Sequence, residues 1–263
     1  MLDDLANLNE GDVDFFELAP ENWINVGGRF GRAFRQLNEK APFICHGLSL
    51  SIGSHDPLDM AFLKQLKQFF KEYDITLYSE HLSYCSHNGH MYDLMPLPFT
   101  EEAACHVAER VKRVQDFLDM PLVLENVSAY IEAKYEMDEL AFVNRVAELS
   151  GCQLLLDVNN VFVNSVNHGF DPFDYISGVS KDRVRYIHVA GHYEEAPDLL
   201  VDTHGADVKE EVWQLLAHAY RIHGVQPTLL ERDFNFPDIN ELLAEVGQIR
   251  DIQREVSHEA KRA

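Results

Sequence analysis

The chain has 263 residues, 46% of them hydrophobic, and its 44 acidic against 22 basic side chains give a formal net charge of −22. So acidic a chain disfavours nucleic acid as a partner, because nucleic-acid-binding proteins neutralise phosphates with clustered Lys and Arg. No apolar stretch approaches the ~20 residues of a membrane span, and the first residues lack the basic and apolar regions of a secretory signal. The four cysteines form neither a CxxC pair nor a disulfide framework. We therefore expect one cytoplasmic domain over 1–263, with reduced thiols and no membrane contact.

Seven short apolar runs, each ending on an ionisable residue, dominate the pattern of the chain. In chain order they cover 13–17, 42–46, 75–81, 121–125, 153–157, 184–188 and 227–231. Continuous apolar runs of this length are typical of buried parallel strands. Helical spacing of apolar residues predicts helices between them, over 59–73, 100–118, 137–149 and 207–223, and a last helix over about 238–263. Alternation of strands and helices predicts a TIM-type (β/α)8 barrel.

The number of strands falls one short of this architecture. A closed barrel of this type needs eight strands, and only seven runs are clear. The segment 199–205 is too short to be a confident strand, and a helix-like stretch precedes the first run. We therefore expect the first barrel strand to be lacking or truncated.

Histidines and carboxylates at the strand ends form the candidate site. Parallel barrels gather functional groups at the carboxyl ends of their strands, so we expect these side chains to meet on one rim. A set without thiolates suits iron, manganese or zinc, and so many ligands imply two or three ions that share bridging carboxylates. Burying so many ionisable groups without cations would be strongly unfavourable. The predicted metal ligands are His46, His81, Glu125, Asp157, His188, Asp202, His204 and Glu231.

Further polar residues lie close to these predicted ligands in the sequence. Asp202 and His204 are separated by one residue in an extended loop, where both side chains can face one ion. We expect the catalytic residues to be His46, Asp202, His204 and Asp233.

Other residues have two interpretations each. Asn160 and His168 would complete a third metal site or form turns, and His192 would bind metal or support a ligand. Asn126 and Asp233 are interpreted as residues that orient neighbouring ligands. Glu17 and Glu80 would be hydrogen-bonding groups of the pocket wall or members of ordinary ion pairs. His106, His218 and His223 lie within predicted helices, and we expect them to be solvated surface residues.

Ordered motifs along nearly the whole chain carry a family resemblance. They are FELAPENW (16–23), CHGLSLSIG (45–53), YSEHLSY (78–84), MPLPFTEEA (95–103), ENVSAY (125–130), DVNNVFVNSVNHGFDP (157–172), IHVAGH (187–192), VDTHG (201–205) and LLERDFNFP (229–237). Together they are similar to the multinuclear non-heme iron-dependent oxidases, the family that contains the methanobactin-biosynthesis oxidases. The chain departs from that family at its start, because a Gly-rich strand reading roughly GLGLR is absent.

The resemblance implies a specific activity. It implies a TIM-type barrel that holds two or three irons (Fe2+/Fe3+), rather than zinc or manganese, at the rim positions given above. It also implies a Cys-containing precursor peptide, made on the ribosome, whose cysteine is oxidised by O2. A small partner protein would present this peptide to the enzyme.

Two other classes of function remain open from the residues alone, because ligand types do not separate oxidation from hydrolysis or isomerisation. One is a divalent-metal hydrolase or isomerase of the endonuclease IV or sugar-isomerase type, a xylose-isomerase-like barrel that also draws His, Glu and Asp from strand ends. The net charge argues against a DNA substrate, and no lysine stands at a strand end to serve an isomerase. The other class is a non-catalytic metal-binding protein.

Overall fold

A computed structural model describes residues 2–131 and 136–262 of the chain. Its strands are β1 (Phe16–Leu18), β2 (Phe43–Gly47), β3 (Tyr78–His81), β4 (Tyr84–Ser86), β5 (His90–Met95), β6 (Leu122–Glu125), β7 (Gln153–Asp157), β8 (Val184–Ala190), β9 (Tyr193–Ala196), β10 (Leu199–Val201) and β11 (Thr228–Glu231). Its α-helices are α1 (Leu2–Leu5), α2 (Gly28–Asn38), α3 (Met60–Glu72), α4 (Glu101–Leu118), α5 (Glu139–Ser150), α6 (Val158–His168), α7 (Pro172–Gly178), α8 (Glu210–His223) and α9 (Ile239–Ala260), with 3-10 turns at Pro20–Asn22 and Lys181–Arg183.

These elements group into two compact units. The first unit comprises Met1–Glu125 and Arg145–Gln153, and the second comprises Asn126–Asn144 and Leu154–Ala263. One domain over 1–263 stays a prediction, and its end residues Met1 and Ala263 lie outside the described residues. Among the described helices, none combines the length and the apolar character that crossing a membrane requires.

The first unit contains four parallel strands in the order β1-β2-β3-β6. The register places His81 beside Glu125, so that both lie at the carboxyl ends of their strands. Helix α3 begins where the Asp59 carboxylate accepts hydrogen bonds from the Ala61 and Phe62 amides. Its apolar residues at helical spacing are buried, as the sequence pattern predicts, including Leu63.

Helix α4 holds the loop that follows β2 through a buried arginine. Thr100 caps the helix by accepting the Ala103 amide hydrogen bond at 3.1 Å. Arg110, 6% exposed, donates to three backbone carbonyls of that loop, at 2.7 Å to Ile52, 2.6 Å to Asp56 and 3.3 Å to Ser51. The three guanidinium nitrogens of Arg110 therefore each bind one carbonyl oxygen of the loop, which a shorter side chain could not reach.

The second unit contains three parallel strands in the order β7-β8-β11. Helix α6 starts at Val158, directly after the last residue of β7, and ends before Gly169 in the left-handed conformation (φ 73°). Strands β9 and β10 form a separate antiparallel hairpin. The second unit thereby places Asp157 and Glu231 at the last residues of β7 and β11, and His188 in β8 two residues before that strand ends.

Each of the seven predicted apolar runs contains a parallel strand, and each predicted helix is present. The segment 199–205, considered as an eighth barrel strand, supplies only β10 of the hairpin, so the described residues contain seven parallel strands. The hairpin of β4 and β5 was not predicted, because its strands carry polar and aromatic residues without a continuous apolar run. His223 is also not the surface residue that its helical position predicted: it is buried, with Nε2 2.9 Å from the Ile176 carbonyl oxygen.

Replacing Arg110 with Ala should destabilise the protein, because three carbonyls would lose their buried donor. We expect the free energy of unfolding, measured by urea denaturation, to fall by about 2–4 kcal/mol. Arg113→Ala on the same helix removes an exposed guanidinium and is the matched control, with an expected change within about 0.5 kcal/mol. Equal effects of the two substitutions would contradict this role of Arg110.

Candidate metal centre

In the first unit, two histidines and one glutamate converge on one point. His46 lies in β2, His81 ends β3 and Glu125 ends β6. The two imidazole Nε2 atoms are 3.1 Å apart, and the Glu125 Oε2 atom is 3.0 Å from His46 Nε2 and 3.4 Å from His81 Nε2. Metal–ligand bonds of about 2.1 Å place neighbouring ligand atoms about 3.0–3.4 Å apart. The three side chains could hold a metal ion, in the two-histidine, one-carboxylate arrangement typical of non-heme iron sites.

Hydrogen bonds on the far side of each ring fix where the imidazole protons lie. His81 Nδ1 donates to the Gly47 carbonyl oxygen at 3.1 Å. His46 Nδ1 lies 2.7 Å from Ser79 Oγ, and the Ser79 hydroxyl donates to the Cys45 carbonyl at 3.3 Å, so it accepts from the ring. Both neutral rings therefore carry hydrogen on Nδ1 and present a lone pair on Nε2. With both rings neutral, two lone pairs and a carboxylate oxygen at these distances repel one another unless a proton or a metal ion lies between them.

Two carboxylates shape the loop that contains Gly47. Glu80, 1% exposed, accepts from the Tyr78 hydroxyl at 2.5 Å and from the Leu50 amide at 3.2 Å, and burial raises the pKa of Glu80 to about 8. Glu21 accepts from two successive amides of the loop, at positions 48 and 49, at 2.8 and 2.9 Å. A Cβ at Gly47 would collide with the Glu80 carboxylate. Glu80 is thus a hydrogen-bonding group behind the site, and Glu21 is a supporting residue that the sequence reasoning missed.

In the second unit, a glutamate at the end of β11 contacts two histidines. Glu231 Oε2 lies 3.0 Å from His188 Nδ1, and Glu231 Oε1 lies 3.4 Å from His204 Nδ1. Asp157 Oδ2 lies 3.9 Å from His188 Nδ1, and Asp157, His204 and Glu231 form a second group that could hold a metal ion. Asp202 Oδ1 lies 2.7 Å from His204 Nε2. The two side chains thus lie close together, and that both face one ion stays a prediction.

Two buried atoms of this second group are suited to binding a cation. His204 Nδ1 lies 3.2 Å from Asp233 Oδ2 and donates to it, so a neutral His204 ring, such as a metal ligand has, carries a lone pair on Nε2. That Nε2 atom and Glu231 Oε2 are both buried and have no hydrogen-bond partner among the described residues. Each nevertheless has a ligand-type atom close by, at 2.7 Å for His204 Nε2 and 3.0 Å for Glu231 Oε2, and both residues belong to a group that could hold a metal ion. The residues present therefore fit a bound metal.

The charges of the second group lead to the same conclusion. Burial acts to raise the pKa of Glu231, but the adjacent His188 and His204 hold it well below its usual range. For His204, burial acts to lower the pKa, but Glu231, Asp202 and Asp233 together raise it far above its usual range. The carboxylates thus favour a positive charge beside His204 and Glu231. A divalent cation would supply this charge and leave the imidazoles neutral. His204 also has a left-handed backbone (φ 50°), a conformation that non-glycine residues adopt only under local constraint.

The remaining predicted residues of the second unit lie around this group. Asn126 exchanges two 3.0 Å hydrogen bonds with the backbone of Asp157, which fixes the end of β7 as an orienting residue would. Asn160 donates its side-chain amide to the Asn126 carbonyl at 3.1 Å. His168 Nε2 lies 2.8 Å from the Ala129 carbonyl oxygen, so this ring is engaged with the backbone. His192 is buried, and its Nδ1 bonds Asn159 rather than a carboxylate.

The other histidines and Glu17 lie outside the two groups. Glu17 is half-buried in β1, where its charge contributes to a raised pKa of Cys45 after the larger effect of burial. His106 Nε2 lies 2.9 Å from the Ser54 carbonyl oxygen, and His218 Nε2 lies 2.8 Å from Ser177 Oγ. Sequence reasoning missed Asn159 and Ser128, which both donate to Asp202. The signals for them were their places in the motifs ENVSAY (125–130) and DVNNVFVNSVNHGFDP (157–172).

The fold has well-defined relatives among solved structures. A 3-keto-D-glucoside 4-epimerase from E. coli matches with a TM-score of 0.61 and 14% identity, over 95% of this chain and 94% of that chain. Endonuclease IV from Thermus thermophilus matches with a TM-score of 0.59 and 15% identity, over 92% of this chain and 90% of that chain. The chain is therefore a TIM-type barrel protein of the xylose-isomerase-like class, as the strand and helix pattern predicts, with two groups of residues that could hold metal ions.

The family is narrower than this fold class. The family model described as "RiPP precursor modification enzyme MbnB/TglH/ChrH" matches residues 1–254, where RiPP denotes a ribosomally synthesised and post-translationally modified peptide. A "UPF0276 protein" of Shewanella sediminis is 57% identical over 256 residues, 97% of this chain and 92% of its own length. Another from Pseudomonas aeruginosa is 56% identical over 253 residues, 95% of this chain and 89% of its own length. The chain belongs to this family of RiPP precursor modification enzymes.

Removing either member of the Asp202–His204 pair should lower metal content. Replacing His204 or Asp202 with Ala removes a ligand-type atom from the group, so we expect elemental analysis of anaerobically purified protein to show about one ion fewer per chain. His218→Ala is the control, because His218 lies in α8 and bonds Ser177. Full metal content in the His204→Ala protein would show that this pair does not bind metal.

Proposed function

We propose that this protein is a multinuclear iron-dependent oxidase that uses O2 to modify cysteine residues of a ribosomally made precursor peptide in the cytoplasm. A partner protein would assist by presenting the peptide. The observation that carries the proposal is the pair of imidazole lone pairs beside a carboxylate, formed by His46, His81 and Glu125. This donor set is typical of non-heme iron enzymes that use O2. The family match supports a peptide as the substrate.

The residues of the chain would have distinct roles in such an enzyme. His46, His81 and Glu125 would hold one iron, and the second unit would hold further iron through Asp157, His188, Asp202, His204 and Glu231. Bound iron would supply the redox chemistry that passes electrons from the substrate to O2. The Gly47 carbonyl and the Ser79 hydroxyl keep the proton of each first-unit histidine on Nδ1, away from the ion.

In the second unit, Asp233 and Asn126 would hold the proposed ligands His204 and Asp157 in the orientation that metal binding needs. The Asp233 carboxylate holds the His204 proton on Nδ1, which leaves Nε2 able to bind. Asn126 fixes the backbone of Asp157 from both sides. The strand residues before Asp157 are almost fully buried, with Leu155 and Leu156 each at 1% exposure, so water has little access to this end of β7.

The hydrolase or isomerase interpretation has weaker support. The epimerase and endonuclease relatives share the fold at 14–15% identity, and such a likeness carries no reaction with it. Among the described residues, no lysine stands at the end of a parallel strand, where an isomerase of this architecture would be expected to use a lysine or a histidine. The family match, in contrast, covers residues 1–254 and concerns peptide modification. These observations favour the oxidase over the alternatives.

Iron content is the first test of the proposal. Because two groups of ligands are present, we expect anaerobically purified protein to carry about two to three irons per chain by elemental analysis. One metal ion or fewer per chain would contradict a multinuclear site. Tightly held zinc, with no activity gained on iron loading, would contradict the choice of iron.

Turnover of a peptide is the second test. Iron-loaded protein, supplied with a Cys-containing precursor peptide, its partner protein and O2, should change the peptide mass and consume O2. A peptide with serine in place of the target cysteine should remain unchanged, because a hydroxyl is a poorer ligand for iron than a thiolate. His81→Ala should reduce the rate to background, whereas His218→Ala should not. An unchanged peptide mass with the wild-type protein would contradict the oxidase proposal, and bound iron without O2 consumption would indicate a non-catalytic metal-binding protein.

A further inference from the structure

A chain of hydrogen bonds leads from a buried histidine to one of the proposed ligands. Asn159 is fully buried, with 0% exposure, and its side chain spans His192 and Asp202. His192 Nδ1 lies 2.8 Å from Asn159 Oδ1, and Asn159 Nδ2 lies 2.9 Å from Asp202 Oδ1. His192 is itself 4% exposed, and its ring centroid lies 5.3 Å from that of Phe162. Every link of this chain lies within the second unit.

The chemistry of the groups fixes the direction of each hydrogen bond. An ionised carboxylate only accepts hydrogen bonds, so the Asn159 group that faces Asp202 must be the NH2 group. The Asn159 carbonyl oxygen therefore faces His192, and the His192 Nδ1 atom must carry a hydrogen. The histidine thus anchors the amide, and the amide can present only a donor to the carboxylate.

The second oxygen of Asp202 has its own donor. The Ser128 hydroxyl donates to Asp202 Oδ2 at 3.1 Å, while Asn159 donates to Oδ1. A carboxylate bound at both oxygens cannot rotate about its terminal bond without breaking one of these bonds. Asp202 Oδ1 is also the oxygen that lies 2.7 Å from the unpartnered Nε2 atom of His204. The two donors therefore hold a remaining lone pair of Oδ1 toward the space beside His204.

We propose that Asn159, anchored by His192, and Ser128 are positioning residues that orient the Asp202 carboxylate toward an ion shared with His204. The proposal rests on the proposed metal centre, and it assigns His192 a supporting role instead of metal binding. Residues that hydrogen-bond a metal ligand set its orientation, and their loss typically weakens metal binding by about 10–100-fold. Asn159 and Ser128 are well placed for this role because they act on separate oxygens of one carboxylate.

The test measures metal affinity directly, without turnover. Metal-free protein is titrated with Co2+ in competition with a chelator, and absorption bands of Co2+ report the ligand geometry. The relevant site is the one that His204→Ala removes from the titration. We expect Asn159→Leu to weaken that site about 10–100-fold and to shift its bands. Ser128→Ala should weaken it, and Ser128→Thr, which keeps the hydroxyl, should restore affinity to within about threefold of wild type.

Control measurements separate positioning from a general loss of stability. Asn144→Ala removes an amide side chain that bonds the Gly178 carbonyl in the same unit, so it should change the melting temperature without changing the Co2+ affinity. Wild-type affinity and unchanged bands in Asn159→Leu would overturn the proposal. If that variant does not fold, equal affinities of Ser128→Ala and wild type would overturn it instead. A wild-type protein that binds no Co2+ at the His204 site would contradict the metal centre itself, and the positioning role with it.

Discussion

The direct passage from strand β7 into helix α6 at Asp157 is the constraint on which the second unit depends. Asp157 ends the strand, caps the helix by accepting the Asn160 amide at 2.7 Å, and is one of the residues that could bind a metal ion. Its backbone is fixed by Asn126, and its exposure is 0%. With no residue between strand and helix, the carboxylate has no freedom to move away from its neighbours.

Helix α6 extends this constraint to the loops around it, because its polar side chains face the protein. Asn164 binds the Ala129 amide and the Val127 carbonyl, and Asn167 binds both backbone groups of Leu200 in β10. Asn159 reaches Asp202 directly. Amide side chains serve here because each carries a donor and an acceptor, and can therefore satisfy both groups of an irregular backbone. The asparagines of the motif DVNNVFVNSVN are therefore the residues that hold these loops in place.

Electrostatic repulsion opposes the grouping of these carboxylates and imidazoles, and a bound metal ion would offset it. Placing carboxylates and imidazoles together in a space that water barely reaches is costly unless opposite charges balance them. In each unit a neighbouring group accepts a hydrogen bond from the Nδ1 atom of one histidine, Gly47 from His81 and Asp233 from His204, which leaves Nε2 of the neutral ring for a cation. Such a prepared site lowers the cost of ordering the ligands when the metal binds. The folded protein therefore keeps several carboxylates close together, and a bound metal ion would neutralise part of their charge.

The sequence alone determined the seven parallel strands, most helices and the ionisable residues near the ends of those strands, because apolar runs and helical spacing are local properties of the chain. It also carried the family through its ordered motifs. The sequence could not determine helix α6, since its asparagines and β-branched valines have low helix propensity and are helical only because the tertiary structure binds their side chains. Nor could it separate His223, buried against the Ile176 carbonyl, from a surface histidine of α8. The positions of the ring protons and the role of Asn159 depend on groups far apart in the chain, so only the tertiary structure decided them.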